Sequence, residues 1–395
     1  MEIEPRVQFD DTSTAFSYKS DRQLKKANLI FTLVNNPVVS GIATTLAKIA
    51  LKLHLPFART IIRNTIFEHF CGGETIGECE KTIQTLHKFH VGTILDYSVE
   101  GATTEQGFDN TTDEILRTIE KAKGNSATPF CVFKVTGLAD TPLLARKHSG
   151  KPLTAEETAA FQRIHDRVDK ICGKAHEYRV HVLVDAEETW IQDPIDDLAS
   201  EMMKKYNQER AIVFNTFQMY RKDMPAKIRE AHQEAVKDNY YLGVKLVRGA
   251  YMEKEVAYAE ESGAENPIHP TKEDTDKAFN KTLTFCLDSK QRISLMCGSH
   301  NDYSNKFLTV LMEKHGLKPN DQRVWFAQLL GMSDHISFNL SRSGYNVAKY
   351  VPYGPVDAVM PYLIRRAQEN TSVAGQSSRE LQLIRKELKR RSKDN

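Results

Sequence analysis

Eight short apolar runs between residues 90 and 370, separated by long amphipathic stretches, predict an α/β fold built on a (βα)8 barrel. The runs are 92–97, 130–136, 180–185, 211–217, 242–247, 293–298, 324–329 and 346–351. They are near-continuous in Val, Ile, Leu and Phe, which suits strands of a parallel sheet buried on both faces; an antiparallel sheet would alternate. A closed barrel of this kind takes ~250 residues, close to the span observed. An open doubly wound sheet is the alternative architecture, but no Gly-x-Gly-x-x-Gly follows any run.

Ahead of the barrel, apolar residues recur every three or four positions through 24–34, 43–53 and 58–70, broken at Pro37 and Pro56, and predict helices. Cys71-Gly72-Gly73 ends the last of them. After the barrel, 378–395 reads as a basic amphipathic helix containing LQLIRKELKRR. The expected organisation is an N-terminal helical segment over 1–85, a barrel over 86–376 and a C-terminal helix over 377–395.

Among the 395 residues, 40% are hydrophobic and 27% charged, which excludes a largely disordered chain. With 54 Lys+Arg against 52 Asp+Glu the net charge is +2, so no global field points to nucleic acid. The longest apolar stretches fall well short of the ~20 residues that span a bilayer. The opening MEIEPRVQFDDTST carries Glu2, Glu4, Asp10 and Asp11, unlike a secretory or transit peptide, and a cytoplasmic location is expected. Six cysteines, at 71, 79, 131, 172, 286 and 297, show no Cys-x-x-Cys and no zinc-like cluster; they are expected to be reduced core residues, and no metal site is expected.

In a barrel the working face lies at the C-terminal ends of the strands. There the chain carries Asp96 and Glu100, Lys134, Asp185, Glu187 and Glu188, Asn215 and Gln218, Lys245, Arg248 and Tyr251, His300 and Asn301, Gln328, and Tyr350. Burying such groups without partners costs kilocalories each. Arg365-Arg366, in the apolar context Tyr362-Leu363-Ile364, is either a surface pair or a fork for a planar anion. Lys134 is a Schiff-base nucleophile, an anion partner or a lysine reaching solvent. Asp185 with Glu187 and Glu188 could hold a divalent metal, yet on an extended chain only Asp185 and Glu187 share a face. His300 suits acid–base work or a fixed hydrogen bond. Tyr251 and Tyr350 are either core or aromatic walls. Together the set fits a small carboxylate-bearing molecule beside a larger polar cofactor.

Three strings then stand out: LVDAEE at 183–188, GVKLVRGAYMEKE at 243–255, and KYVPYG at 349–354 followed by YLIRRAQENTS at 362–372. The chain resembles the proline dehydrogenase family from about residue 92 to 372, in the monofunctional form without a fused aldehyde dehydrogenase. The resemblance implies a distorted (βα)8 barrel holding FAD, oxidation of L-proline to Δ1-pyrroline-5-carboxylate and electron transfer to a membrane quinone. It assigns Arg365, Arg366 and Lys134 to the proline carboxylate, Tyr251 and Tyr350 to the ring, and Asp185 to the substrate's vicinity. Glu100 would ion-pair with a clamp arginine. Lys245 would face the flavin where part of the family has arginine. Asn215, Gln218, Val247, Gly249, His300, Asn301, Gln328, Thr371 and Ser372 match positions expected to hold the cofactor.

The implied step is hydride transfer from proline C5 to flavin N5, with Tyr350 crowding a 4-hydroxyl group and so favouring proline over 4-hydroxyproline. The implied partners are L-proline, the quinone and, transiently, a pyrroline-5-carboxylate dehydrogenase. Quinone reduction implies peripheral contact with the inner face of a bacterial membrane, through the basic 385–395 segment or the N-terminal helices. The competing readings are a flavin-free Schiff-base lyase using Lys134 and a non-catalytic carboxylate-binding barrel.

Overall fold

The computed structural model describes residues 7–34, 36, 41, 45, 57–99, 102–372 and 376–394. Eight parallel strands run in sequence order around a closed barrel: β1 Val91–Tyr97, β2 Phe130–Phe133, β3 His181–Val184, β4 Val213–Gln218, β5 Leu242–Val247, β6 Ile293–Gly298, β7 Val324–Leu329 and β8 Val347–Tyr353. Each coincides with an expected run, and most of their residues are buried, as two-sided coverage requires.

Several boundaries shift by one to three residues, and two of the shifts bear on the site. β2 stops at Phe133 and not at Thr136, because Val135–Gly137 turns into a 3₁₀ helix right after Lys134. β8 continues through Pro352 to Tyr353, beyond the expected end of the run at residue 351. Proline lacks only the donor, and the Pro352 carbonyl accepts from Gly72 N at 2.8 Å, so the ladder tolerates it.

The chain divides into two compact units, one described over 102–327, the other over 7–99 and 328–394. The first holds β2 to β6 and most of β7 with helices α5 (Glu105–Ala122), α6 (Thr141–His148), α7 (Ala155–Tyr178), α8 (Thr189–Tyr206), α9 (Met224–Lys237), α10 (Met252–Ser262), α11 (Lys272–Asp288) and α12 (Asp302–Lys314). α7 opens on a full capping box, Thr154 and Glu157 each satisfying the other's backbone N–H.

The second unit holds β1 and β8, paired in register from Val91 opposite Val347 to Tyr97 opposite Tyr353. Its helices are α1 (Thr12–Ala15), α2 (Asp21–Val34), α3 (Ala58–Ile62, a π turn Arg63–Phe67, and Glu68–Phe70), α4 (Ile76–His87), α13 (Asp334–Arg342), α14 (Val356–Ser372) and α15 (Gln376–Asp394). The expected 43–53 helix lies outside the described residues, apart from Thr45. Phe16, Leu24, Phe31, Phe70, Val359, Leu363 and Ile384 form one apolar cluster, so α15 docks by its Leu/Ile side. Arg391 completes the docking, donating to the Phe16 and Lys19 carbonyls.

All six cysteines are buried and free. Among the described residues, no helix is long and apolar enough to cross a membrane.

Candidate active site

Strand register builds the site in the first unit. Phe133 pairs with Val184, Val184 with Asn215, and Thr216 with Lys245. One step beyond β2 and β3, Lys134 and Asp185 therefore stand level with Thr216 and Lys245. Asp185 anchors to the sheet by donating its N–H to the Phe133 carbonyl at 3.0 Å. Its carboxylate accepts from both ammonium groups, from Lys134 Nζ at 3.1 Å and Lys245 Nζ at 2.5 Å. Burial pushes the Asp185 carboxyl up, and the two lysines more than offset that, holding it below the usual carboxylate range. Two lysine side chains thus converge on one buried carboxylate at the ends of β2, β3 and β5. The same pairing engages the Lys134 Nζ with a carboxylate oxygen.

The two glutamates of DAEE have protein partners of their own. Glu187 accepts from Thr136 N at 3.0 Å and Thr136 Oγ1 at 2.5 Å, and Glu188 pairs with Lys254. Asp185 and Glu187 thus accept from lysine and threonine donors. Among the described residues no group of three or more His, Cys, Asp or Glu could hold a metal ion.

Asn215 and Gln218, buried on β4, are tied into the same network. Asn215 donates to Asp196 at 2.8 Å, and Gln218 donates to the Glu187 carbonyl at 2.7 Å. Each carboxamide keeps further hydrogen-bonding capacity for a ligand. After β5, Val247 is half-buried and Gly249 takes φ +131°, where a Cβ would lie 2.5 Å from the Tyr220 ring. Arg248 is held by Asp276 at 2.6 Å and by the Ser299 and Ser304 hydroxyls. Tyr251, 9% exposed, sits at the start of α10. That helix is pinned by fully buried Glu255, which accepts from Thr189 N at 2.7 Å and Thr189 Oγ1 at 2.5 Å. His300 is half-buried after β6, and Asn301 caps α12 by accepting from Ser304 N at 3.0 Å.

In the second unit, Tyr350 is buried on β8 and its carbonyl accepts from Leu330 N at 2.8 Å. Gln328 is buried and accepts from Ser337 Oγ at 2.8 Å. Arg365 is half-buried on α14, while Arg366 is 7% exposed, its guanidinium 5.2 Å from the Tyr362 ring centre. Arg366 is therefore no surface arginine, and burying a guanidinium requires anionic or aromatic company. Thr371 and Ser372 fall at the end of α14, with side chains outside the described residues, as is all of Glu100.

Sequence reasoning missed Thr136, taken there as strand, and Glu255, whose partner Thr189 is 66 residues away. It also missed Lys349. This fully buried lysine inside β8 faces Asp334 at 2.9 Å, and Asp334 in turn accepts from Tyr18 and Lys19, both at 2.7 Å. A lysine amid KYVPYG was the available signal.

Comparison with known proteins places the chain among similar sequences. The family model described as proline dehydrogenase matches residues 79–379. The carbapenem antibiotics biosynthesis protein CarD of Pectobacterium carotovorum is 36% identical over 82% of the chain and 83% of its own length. Mitochondrial proline dehydrogenase 1 of Dictyostelium discoideum is 33% identical over 96% of the chain and 74% of its own length. In solved structures, proline utilization A from Bdellovibrio bacteriovorus, inactivated by N-propargylglycine, shares the fold with TM-score 0.72 at 18% identity. That match covers 93% of the chain, which spans 38% of that longer protein.

Proposed function

The chain belongs to the proline dehydrogenase family, and we propose from that premise that it oxidises L-proline to Δ1-pyrroline-5-carboxylate with FAD as cofactor and a quinone as acceptor. The observation that carries the reading is the Lys134–Asp185–Lys245 layer, two cations, one half-buried and one buried, sharing one buried carboxylate at the ends of β2, β3 and β5.

Lys134 is the substrate-carboxylate partner in the first unit, and Asp185 orients it. In the second unit, Arg365 and Arg366 are the proposed carboxylate-binding arginines and Tyr350 a ring-binding residue; Tyr251 has that role in the first. Fixing a small zwitterion by its carboxylate removes rotational freedom before the reaction, and such ordering lowers a barrier by several kcal/mol. No strong general base is then required.

The donor set fits FAD. Gln218 and Asn215 offer groups that both donate and accept, and Lys245 offers a donor, the pattern that a flavin ring edge demands. Asn215, Gln218, Lys245, Val247, Gly249, His300, Asn301, Gln328, Thr371 and Ser372 would hold it. When bound, FAD would supply the acceptor for the hydride leaving proline C5. Lys245, a point donor, gives a single hydrogen bond where arginine would give a fork, so it tunes that acceptor differently.

The test is the visible spectrum of the purified protein, followed by L-proline addition without oxygen. Bleaching of oxidised-flavin bands, and re-oxidation by a short-chain quinone, is the expected result. A protein that cannot be loaded with FAD, or whose flavin ignores proline, overturns the reading.

A further inference from the structure

Three ties join the stretch from the end of β3 into α8 to the stretch from β5 into α10. Asp185 pairs with Lys245, Glu188 pairs with Lys254, and Glu255 accepts from Thr189 N at 2.7 Å and Thr189 Oγ1 at 2.5 Å. The Trp190 and Tyr258 rings, on the same two helices, stack with centres 4.4 Å apart.

The first two ties are ion pairs, whereas in the third a fully buried carboxylate meets the backbone and hydroxyl of a neutral residue. Its place on α8 offsets the cost of burying it. Thr189 is the first residue of that 18-residue helix, and the N-cap residue, Glu188, makes no side-chain capping bond. Glu255 supplies that cap from α10, and its carboxylate faces the positive end of the α8 dipole.

The Glu255 N–H donates to the Tyr251 carbonyl at 2.9 Å, so the tie to Thr189 anchors the helical turn that Tyr251 opens. On the other side of Tyr251 the chain passes through Gly249, at φ +131° and close against the Tyr220 ring. Tyr251, 9% exposed, is thus set between a close-packed glycine turn and an anchored helix.

We propose that Glu255 is a positioning residue for substrate binding: by capping α8 from α10 it fixes Tyr251, and so holds a wall of the site that receives the substrate ring. This rests on the proline-oxidising reading above, which assigns Tyr251 to that ring.

In the flavin-loaded enzyme, Glu255→Ala should raise KM for L-proline about tenfold with kcat within about twofold of wild type, the pattern of lost substrate binding. Glu255→Gln should return KM to within about twofold of wild type, because its Oε1 accepts from the Thr189 N–H and its Nε2 donates to a hydroxyl that can also accept. Tyr251→Ala has no ring left to position, so adding Glu255→Ala to it should change KM by less than about twofold, the non-additivity of residues that act as one.

A further readout needs no turnover: the rate at which tetranitromethane nitrates Tyr251, followed by mass spectrometry. Glu255→Ala should react several-fold faster than wild type or Glu255→Gln. An unchanged KM in Glu255→Ala, an equal KM rise in the Tyr251→Ala background, a Glu255→Gln variant as impaired as Glu255→Ala, or equal nitration rates would each overturn the proposal. If Glu255→Ala does not fold, Thr189→Val takes its place in the KM, Tyr251→Ala and nitration comparisons, with KM up about threefold for the one hydroxyl bond lost. Failure of L-proline to bleach the wild-type flavin would instead sink the functional reading, and Tyr251 nitration would still report on Glu255.

Discussion

Arg366 and Lys134 owe their interest to related facts: Arg366 is a cation buried on an apolar helix, and Lys134 is a half-buried cation closing an apolar strand. Replacing Arg365 or Arg366 by Met should raise KM for proline at least tenfold, about the 1.4 kcal/mol of one lost charge-assisted hydrogen bond, while flavin content stays near wild type. Steady-state kinetics with a flavin absorbance ratio checks both halves, and an unchanged KM removes the arginines from the substrate. Tyr350 bears on selectivity. Tyr350→Ser should improve kcat/KM for 4-hydroxyproline relative to proline, and equal use of both by wild type would defeat the steric argument. At this scale the sequence showed the identities of the cations and acids, since an ionisable residue closing an apolar run stands out. It did not show their pairings. Asp185 finds Lys134 and Lys245 at separations of 51 and 60 residues, and only the register of β2, β3 and β5 creates that contact.

Elements were legible through periodicity, and their ends less so. β2 was expected to reach Thr136, but a chain that must deliver Thr136 to Glu187 leaves the ladder at Phe133. Two local features carry measurable weight. Gly249 has φ +131° and a Cβ there would meet the Tyr220 ring at 2.5 Å, so Gly249→Ala should cost about 2–3 kcal/mol and displace the Tyr251 turn. Calorimetry should show a lower Tm, and an unperturbed Tm would mean that Tyr220 yields freely. At the opposite side of the scale, Thr154→Ala breaks the capping box of α7 and should cost about 1 kcal/mol in denaturant unfolding without touching activity.

For the whole molecule, buried ionisable groups decide the pH response. Burial lowers His69 to about 3 and His181 to about 4, from 6.5. The unfolded chain therefore binds protons between pH 6.5 and 4 that the native one refuses, and stability falls as pH drops through that window. Glu187, raised to about 7 from 4.5, acts in the opposite sense between 4.5 and 7, because there the native state holds the extra proton. Tm measured from pH 7.5 to 4 should fall most steeply below 4.5, where the histidines act unopposed, and His69→Gln should flatten that fall. In the second unit, Lys349 and Asp334 are both fully buried. Asp334→Asn leaves the lysine uncompensated and should cost about 3–5 kcal/mol, read as a shift in the urea midpoint.

The sequence by itself determined the eight-stranded α/β barrel, the helices over 24–34, 58–70 and 378–394, the buried free cysteines and the strings that mark the family. These follow from local pattern, since apolar period and run length act along the chain, and a chemical string is read in place. Tertiary structure alone decided that α15 is a docked helix and not a solvated tail, that Glu187 braces the Lys134 turn, and that Lys349 is locked against Asp334, Tyr18 and Lys19. Each of those depends on side chains tens to hundreds of residues apart meeting where water is excluded, and the energy of such a meeting resides in the pair and its burial, which no single stretch of sequence contains.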